Sequence, residues 1–407
     1  MKTKITAIIL ILTLTLSLVL SGCGENYIKN LSEGYSSKSI IETRDISPYT
    51  NDYSDFAVRL LKETFDGKEN TLVSPLSVML SLAMTSEGAE GETLKEFEEL
   101  FGMSAEELRL FAYSYMYPKL NDPQLSIANS VWINNMEGLR VNEEFLQNNA
   151  QYHKADVFEA EFGGKTVEEI NNWVNGKTDG MVEKIIDKLD KRSVMCLVNA
   201  LLFDAKWAVP YNEHQIKEGE FVTEKGVTRK AEFLLNSEGV YLQDENATGF
   251  AKHYEGYGYA FVAMLPNEGV SVEEYVKTMS GEKLSALLEN AEETTVYTAI
   301  PKFEYETDLS LKPALENMGM AKAFDMDKAD FSRLGQVQNG NIWIGDVLHS
   351  TKISVTENGT KAGAATAQVL YGSGAILKEV FLDRPFVYMI MDMENNLPVF
   401  VGTVMSP

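Results

Sequence analysis

The chain has 407 residues, 44% of them hydrophobic, and carries 60 acidic against 36 basic side chains, for a formal net charge of −24. A chain of this length and apolar content can bury a large core. The acidic balance argues against nucleic acid and heparin-like polyanions as partners, because those ligands are bound through basic patches.

The N-terminus is typical of a targeting segment. A positively charged start precedes an apolar run over 5–20, which ends in Leu20-Ser21-Gly22-Cys23. That ending resembles a bacterial lipobox, in which the cysteine is lipidated and becomes the first residue of the mature chain. We therefore predict a lipoprotein signal peptide over 1–22 and a lipid anchor to the membrane at Cys23. The expected location is the bacterial cell surface or the extracytoplasmic face of the membrane; shedding to the extracellular space and an uncleaved signal anchor are left open.

Residues 23–47 are polar and lack periodic apolar positions, which is typical of a flexible tether. No further linker and no internal repeat follow, so the sequence predicts one domain over 48–407. Cys196 lies in an apolar run and is the only thiol left once Cys23 is lipidated. It is therefore predicted to be a small buried residue, and a disulfide within the mature chain is excluded.

The predicted elements mix helices and strands without a regular alternation. Helical periodicity and a Ser-Pro start signal predict helices over 53–65, 74–84, 92–101, 105–115 and 167–174. Runs of β-branched and aromatic residues predict strands over 125–133, 194–203, 259–265, 296–305, 341–355, 386–392 and 399–404. This order favours an α+β fold with large antiparallel sheets.

The chain offers no convincing motif for catalysis or for a metal. Its four histidines form neither an HExxH motif nor a ligand pair, and no GxSxG sequence is present. Ser280-Gly281-Glu282-Lys283 matches the SxxK motif of penicillin-recognising enzymes, but no KTG element follows it. A serine that caps a charged helix explains the match better. We therefore expect no enzyme activity, no metal and no cofactor.

The least ordinary segment is the run of small residues over 357–367, Glu-Asn-Gly-Thr-Lys-Ala-Gly-Ala-Ala-Thr-Ala. Alanine and glycine lose little side-chain entropy when ordered, and threonine suits a strand, so such a run can be a loop in one state and a strand in another. In a strand, the small residues Thr360, Ala362, Ala364 and Thr366 would share one face.

Several sequence blocks, in order and spacing, resemble the serpin family over nearly the whole mature length. They include Asn129-Ser130-Val131-Trp132, Val198-Asn199-Ala200, Ile300-Pro301-Lys302-Phe303, Val347-Leu348-His349, Glu357-Asn358-Gly359-Thr360 and Arg384-Pro385-Phe386. The resemblance implies three mainly antiparallel sheets, about eight or nine helices and an exposed reactive-centre loop over about 357–380. It also implies an inhibitor of serine proteases that acts as a suicide substrate: the protease cleaves the loop, forms an acyl-enzyme, and is trapped when the loop inserts into the largest sheet.

The resemblance also implies roles for individual positions. The hinge of the loop matches Glu357, Gly359, Thr360, Ala362, Ala364, Ala365 and Thr366. A polar cluster called the shutter, which controls the opening of the central sheet, matches Ser74, Ser77, Asn199 and His349. Trp207 matches the breach, where insertion starts, and Lys302 matches the partner of Glu357 in a hinge ion pair.

The resemblance also implies the position of the cleaved bond, because the family places it sixteen residues beyond the residue that matches Glu357, which here gives Ser373–Gly374. A small residue before the bond favours elastase-like or subtilisin-like targets. A shifted register, with Tyr371–Gly372 or Leu370–Tyr371 as the cleaved bond and a chymotrypsin-like target, stays open. The expected partner is a target serine protease in covalent complex with a monomer. No heparin is expected, because the region over 101–125 is shorter than the corresponding helical region of the family and is not basic. The alternative function is a non-inhibitory serpin that serves as a binding or storage protein.

Overall fold

The computed structural model describes residues 28–36, 41–178, 180, 182–191, 193–360 and 378–407. Nine α-helices lie in these ranges: α1 Thr50–Thr64, α2 Pro75–Ser86, α3 Gly91–Phe101, α4 Ala105–Lys119, α5 Glu143–Asn148, α6 Gly164–Lys177, α7 Val272–Thr278, α8 Gly281–Glu289 and α9 Lys312–Asn317. The five predicted helices are α1–α4 and α6. The four others have six to nine residues each, too few for a helical period to stand out.

The strands form three sheets. Sheet A contains β1 Ile28–Asn30, β3 Leu125–Asn134, β5 Asp156–Ala160, β6 Met195–Phe203, β7 Ala205–Lys206, β13 Phe303–Ser310, β15 Ile344–Thr356 and β16 Gly359–Thr360. Sheet B contains β2 Thr71–Val73, β8 Ile216–Val222, β9 Thr228–Gln243, β10 Ala247–His253, β11 Tyr259–Pro266, β12 Glu292–Pro301, β17 Lys378–Phe381, β18 Phe386–Asp392 and β19 Leu397–Val404. Sheet C pairs β4 Arg140–Val141 with β14 Gly335–Gln336.

Most neighbouring strands are antiparallel, and the parallel pairs are β3 with β5, β6 with β15, and β12 with β17. The predicted α+β class with three mainly antiparallel sheets is therefore confirmed. Among the helices of the described residues, none is long and apolar enough to cross a bilayer.

Helix α2 lies at the centre of the molecule, between the two large sheets. It contacts β3 and β6 of sheet A and β19 of sheet B, and all of its residues are buried. Its start is set locally: the Ser74 side chain accepts a hydrogen bond from the Ser77 backbone N–H, and Pro75 occupies the first turn. The polar N-terminus of α2 is therefore buried where sheets A and B face each other.

The strand predicted over 296–305 is in fact two strands in different sheets. β12 ends at Pro301 in sheet B and β13 begins at Phe303 in sheet A, so Lys302 lies where the chain crosses between the sheets. Apolar and aromatic residues on both sides of Pro301 and Lys302 hid the crossing, because both strands bury side chains in the same core. As a result, Lys302 is fixed between the end of β12 and the start of β13.

The segment predicted as a flexible tether differs from the structure where it is described. Ile28–Asn30 pairs antiparallel with β5 at the edge of sheet A, and the Leu31 N–H donates to the Val157 carbonyl. Farther on, the Ile41 and Arg44 amides donate to the hydroxyls of Tyr113 and Ser114 on α4. An open strand edge satisfies these backbone groups without any apolar period in the segment.

Two smaller predictions are confirmed. Cys196 is buried, and burial raises the pKa of its thiol to about 12, so it is a packing residue and not a nucleophile. Ser280 caps α8 by accepting a hydrogen bond from the Lys283 N–H, which accounts for the SxxK match.

Candidate functional site

Sheet A contains a slot between β6 and β15. The N-terminal parts of these strands pair in parallel, up to the pair of Val198 with Leu348. We call the N-terminal ends of β6 and β15 the bottom of the slot and their C-terminal ends its top. Above that pair, residues 199–203 pair with β3 and residues 349–354 pair with β13, and no strand of the described residues lies between them. Six residues at about 3.3 Å each give the slot a length of about 20 Å.

The fork at which β6 and β15 separate is held by polar side chains. Asn199 and His349 are the first residues beyond the last paired couple. Each bonds to the start of α2: the Ser74 N–H donates to His349 Nε2 at 3.0 Å, and the Ser77 hydroxyl donates to Asn199 Oδ1. The two strands are thus fixed to the same helix and not to each other.

The fork is also connected to the neighbouring strand β3 and to sheet B. The Asn199 side-chain amide donates to Asn129 Oδ1 on β3, and the Ser74 hydroxyl donates to the Val399 carbonyl of sheet B at 2.8 Å. The shutter residues Ser74, Ser77, Asn199 and His349 therefore form one buried, hydrogen-bonded cluster. Buried polar groups are expensive to leave unpaired, so these bonds favour one position of the fork.

The charge state of this cluster is set by burial. His349 is 3% exposed, and burial lowers the pKa of its imidazole to about 4. The ring is therefore neutral near pH 7, which is the form whose Nε2 accepts the Ser74 N–H. Protonation of Nε2 would remove that acceptor.

The top of the slot is already entered by β16. Gly359 pairs with Thr356 and Lys206, and Thr360 pairs with Val355 and Ala205, antiparallel on both sides. β16 therefore lies between β15 and β7, the short strand that follows β6 in the chain, and forms the first two residues of an added strand.

The two residues of β16 fit between β15 and β7 for different reasons. Gly359 has φ of +151°, and a Cβ there would lie 2.7 Å from the Lys206 Cα and closer still to the Ala205 carbonyl oxygen. A side chain does not fit at this position. Thr360 is 4% exposed, and its hydroxyl lies 2.6 Å from the Tyr254 hydroxyl.

The turn that leads into β16 is hydrogen-bonded to the segment 207–211, which we call the breach segment. The Trp207 N–H donates to the Asn358 carbonyl at 3.0 Å, and its indole Nε1–H donates to the Thr356 carbonyl at 2.8 Å. The Tyr211 N–H donates to the Glu357 carbonyl at 2.9 Å. Three hydrogen bonds thus fix the base of the loop.

The Glu357 side chain forms the ion pair that the resemblance implied. Its Oε2 lies 2.8 Å from the Lys302 Nζ, which also lies 3.2 Å from Glu232. The neighbouring ammonium lowers the pKa of the Glu357 carboxyl. Both side chains are a quarter to a third exposed, so the pair contributes at most about 1 kcal/mol.

Sequence reasoning missed three residues of the site. Tyr254 stacks on Trp207 at 4.5 Å between ring centroids and contacts Thr360. Lys252 and Glu238 form an ion pair beneath Trp207. The one available signal was a lysine within the otherwise apolar Gly249-Phe250-Ala251-Lys252 stretch.

The remaining predicted positions lie outside the described residues. They are Cys23, the predicted lipidation site, the predicted hinge residues Ala362, Ala364, Ala365 and Thr366, and the candidate cleavage positions Tyr371, Gly372, Ser373 and Gly374.

Comparisons with known proteins agree with this geometry. The family model described as "Serpin (serine protease inhibitor)" matches residues 51–407. An uncharacterized serpin-like protein of Thermococcus kodakarensis is 30% identical over 374 residues, 88% of this chain and 86% of that protein.

Three solved serpin-fold structures resemble the structure of this chain. The thermophilic serpin tengpin in its native state is 43% identical, covers 93% of this chain and 100% of its own, and superposes with a TM-score of 0.89. Tengpin in its latent state, at 41% identity and 91% and 99% coverage, gives a TM-score of 0.78. Human thyroxine-binding globulin in complex with thyroxine, at 24% identity, 89% and 100% coverage and a TM-score of 0.80, shares the fold.

Proposed function

The chain belongs to the serpin family, and on that premise we propose that it inhibits serine proteases as a suicide substrate. The observation that carries the proposal is the slot in sheet A with Gly359 and Thr360 already at its top. An added strand there meets free edges on both sides. Such an edge is a template for strand addition.

The register at the top of the slot supports insertion of the whole loop. Thr356 faces Gly359 and Val355 faces Thr360, so continued antiparallel pairing would place Thr366 opposite His349. On the other side, continuation of the pair of Thr360 with Ala205 would place Thr366 opposite Asn199. Residues 361–365 would therefore fill the open slot, and Thr366 would arrive at the fork.

Beyond the fork, insertion has to separate the paired parts of β6 and β15. In the same register Ser373 would lie opposite Ile342, just beyond the start of β15 at Ile344. The inserted strand over 360–373 would be about 46 Å long at about 3.3 Å per residue. The length of β15 thus suits cleavage at Ser373–Gly374, and the new strand would exchange the parallel pairing of β6 with β15 for two antiparallel ladders.

Trapping follows from the order of steps. The protease serine would attack the carbonyl of the residue before the cleaved bond, expel the amine of the next residue and remain esterified to the loop. Insertion would then carry the acylated protease along sheet A before water attacks the ester. Inhibition requires that insertion be faster than deacylation. The small side chains on the inward face, Thr360, Ala362, Ala364 and Thr366, favour fast insertion.

A gel assay tests this function. We expect pancreatic elastase mixed with the protein to give an SDS-resistant complex, and we expect the cleaved protein to unfold at a higher temperature than the intact one. Cleavage without a complex and without added stability would refute inhibition and would favour the non-inhibitory alternative, a binding or storage protein.

The cleaved bond is tested in the same reaction. Mass spectrometry of the released C-terminal fragment should give a fragment that begins at Gly374, in keeping with an elastase-like or subtilisin-like target. A fragment that begins at Gly372 would instead assign the bond to Tyr371 and favour a chymotrypsin-like target.

We also propose that the protein is exported and anchored by lipid at Cys23, on the strength of the Leu20-Ser21-Gly22-Cys23 sequence. Burial of acyl chains in the bilayer would hold a strongly acidic domain that anionic lipids do not attract. Detergent phase partitioning of the expressed full chain tests this. The wild type should enter the detergent phase and Cys23→Ala should stay in the aqueous phase; equal partitioning would contradict it.

A further inference from the structure

A buried ion pair lies directly behind the breach segment. Lys252 on β10 has a side chain that is 1% exposed, and its Nζ lies 2.8 Å from Glu238 Oε1 on β9. The same ammonium donates to the Val209 carbonyl at 3.3 Å. It also lies 5.2 Å from the centre of the Trp207 ring and 4.5 Å from the centre of the Tyr211 ring.

Stability alone does not account for this arrangement. Removing two charges from water costs several kcal/mol, and a well-packed apolar pair of similar volume is often as stable. The flanking residues Phe250 and Ala251 are buried apolar side chains, so an apolar residue at position 252 would suit the core. Packing of the core therefore does not require an ammonium at this position.

The contacts of Lys252 identify what it positions. Val209 is the middle of the breach segment, and Trp207 and Tyr211 are its ends. Those ends donate the three hydrogen bonds to the carbonyls of Thr356, Glu357 and Asn358. The ammonium is thus bonded to the centre of the segment and covered by the aromatic rings at both ends.

We propose that Lys252 is a positioning residue whose ammonium fixes the breach segment in the shape that holds the base of the reactive-centre loop. Without the ammonium, the Val209 carbonyl and the two rings lose their common partner. The amides of Trp207 and Tyr211 are then less well oriented toward the carbonyls of Asn358 and Glu357. The positioning stands on the contacts alone. Its consequence for loop insertion rests on the proposed inhibitory function.

Two variants separate positioning from general stability. Lys252→Met keeps the length and volume of the side chain but removes the ammonium. Glu238→Gln keeps an oxygen acceptor and leaves the ammonium on the Val209 carbonyl and between the rings. Lys177→Met is a matched control, because Lys177 also lies over a tryptophan, Trp173 at 5.5 Å, and beside an acid, Asp156.

The direct readout is hydrogen exchange of single backbone amides. In Lys252→Met we expect the Trp207 and Tyr211 amides to exchange about tenfold faster, equivalent to about 1.4 kcal/mol. The Ala208 amide, which donates to the His253 carbonyl, is the internal reference and should change less. Glu238→Gln and Lys177→Met should leave the Trp207 and Tyr211 amides at wild-type rates, whatever their effect on global unfolding.

The functional readout is the loss of elastase inhibition during warm incubation, which should be faster in Lys252→Met because the loop base is less well held. Wild-type amide rates in Lys252→Met would overturn the proposal, as would equal acceleration in Lys252→Met and Glu238→Gln at equal global destabilisation. If the wild type forms no complex with any serine protease, the proposed function fails, while the exchange rates still decide the positioning role.

Discussion

Replacement of Thr360 by arginine tests the insertion mechanism at its first step. Thr360 is 4% exposed at the top of the slot, between Val355 and Ala205. Its hydroxyl contacts the Tyr254 hydroxyl, and Tyr254 is itself buried against Trp207. Among these contacts there is no acid to pair with a guanidinium, so Thr360→Arg either expels β16 from the slot or buries an unpaired charge.

The size of the effect follows from the burial. An unpaired charge in a buried site costs about 3–5 kcal/mol. If that penalty falls on the entry step, insertion slows by roughly a hundredfold to a few thousandfold, since each 1.4 kcal/mol is a factor of ten. Deacylation keeps its rate, because the ester is formed at the far end of the loop. Thr360→Arg should therefore be cleaved and released as a substrate, with little SDS-resistant complex.

The assay is the stoichiometry of inhibition with elastase, read together with the ratio of complex to cleaved protein on a gel. Ala365→Arg is the matched control, because strand alternation puts position 365 on the opposite face from 360. This control should inhibit nearly as the wild type does. Efficient complex formation by Thr360→Arg would refute insertion of this segment as the trapping step, and failure of both variants would show an effect of charge regardless of face.

Three further predictions address the hinge and the shutter. Gly359→Ala places a methyl group against the Ala205 carbonyl, so the free energy of unfolding in urea should fall by roughly 1–3 kcal/mol; unchanged stability would contradict the fit described for β16. Burial lowers the pKa of His349 to about 4 against 6.5 for the free side chain, so between pH 6.5 and 4 the unfolded chain binds a proton that the folded chain does not. Stability should therefore be lost as pH falls through that window, by about 3 kcal/mol in total, and His349→Gln should lack this part of the pH dependence of urea unfolding. Lys302→Met should lower the free energy of unfolding by at most about 1 kcal/mol, and less at high salt, since its pair with Glu357 is partly exposed; a loss of several kcal/mol would show that the pair is more than a surface contact.

The hinge shows how far local sequence information reaches. The small residues over 357–367 predicted a segment able to change between loop and strand, because side-chain size and backbone freedom are properties of single residues. Ser74-Pro75 likewise predicted the start of α2, because a cap depends on the next three residues. The polar segment over 28–47, by contrast, gave no sign of its strand, because its partner is an edge of sheet A more than a hundred residues away.

The crossing at Lys302 and the ion pair behind the breach segment show what local patterns miss. Strand-forming residues extend on both sides of Pro301 and Lys302, yet the chain leaves one sheet and joins another there. In the sequence, Lys252 is a single lysine in an apolar run. Its partners lie on β9 and in the 207–211 segment, which contact it only in the folded chain. Neither feature depends on the residues next to it in the chain.

The sequence by itself determined the family, the α+β class, helix α2 with its cap and a loop segment suited to become a strand. Tertiary structure decided the central position of α2, where the slot in sheet A begins and ends, and which hydrogen bonds join Asn199 and His349 to the start of α2. The physical reason is the range of the contacts. Ser74 and His349 are 275 residues apart in the chain but share a hydrogen bond, and the balance between open and closed strands depends on such pairs.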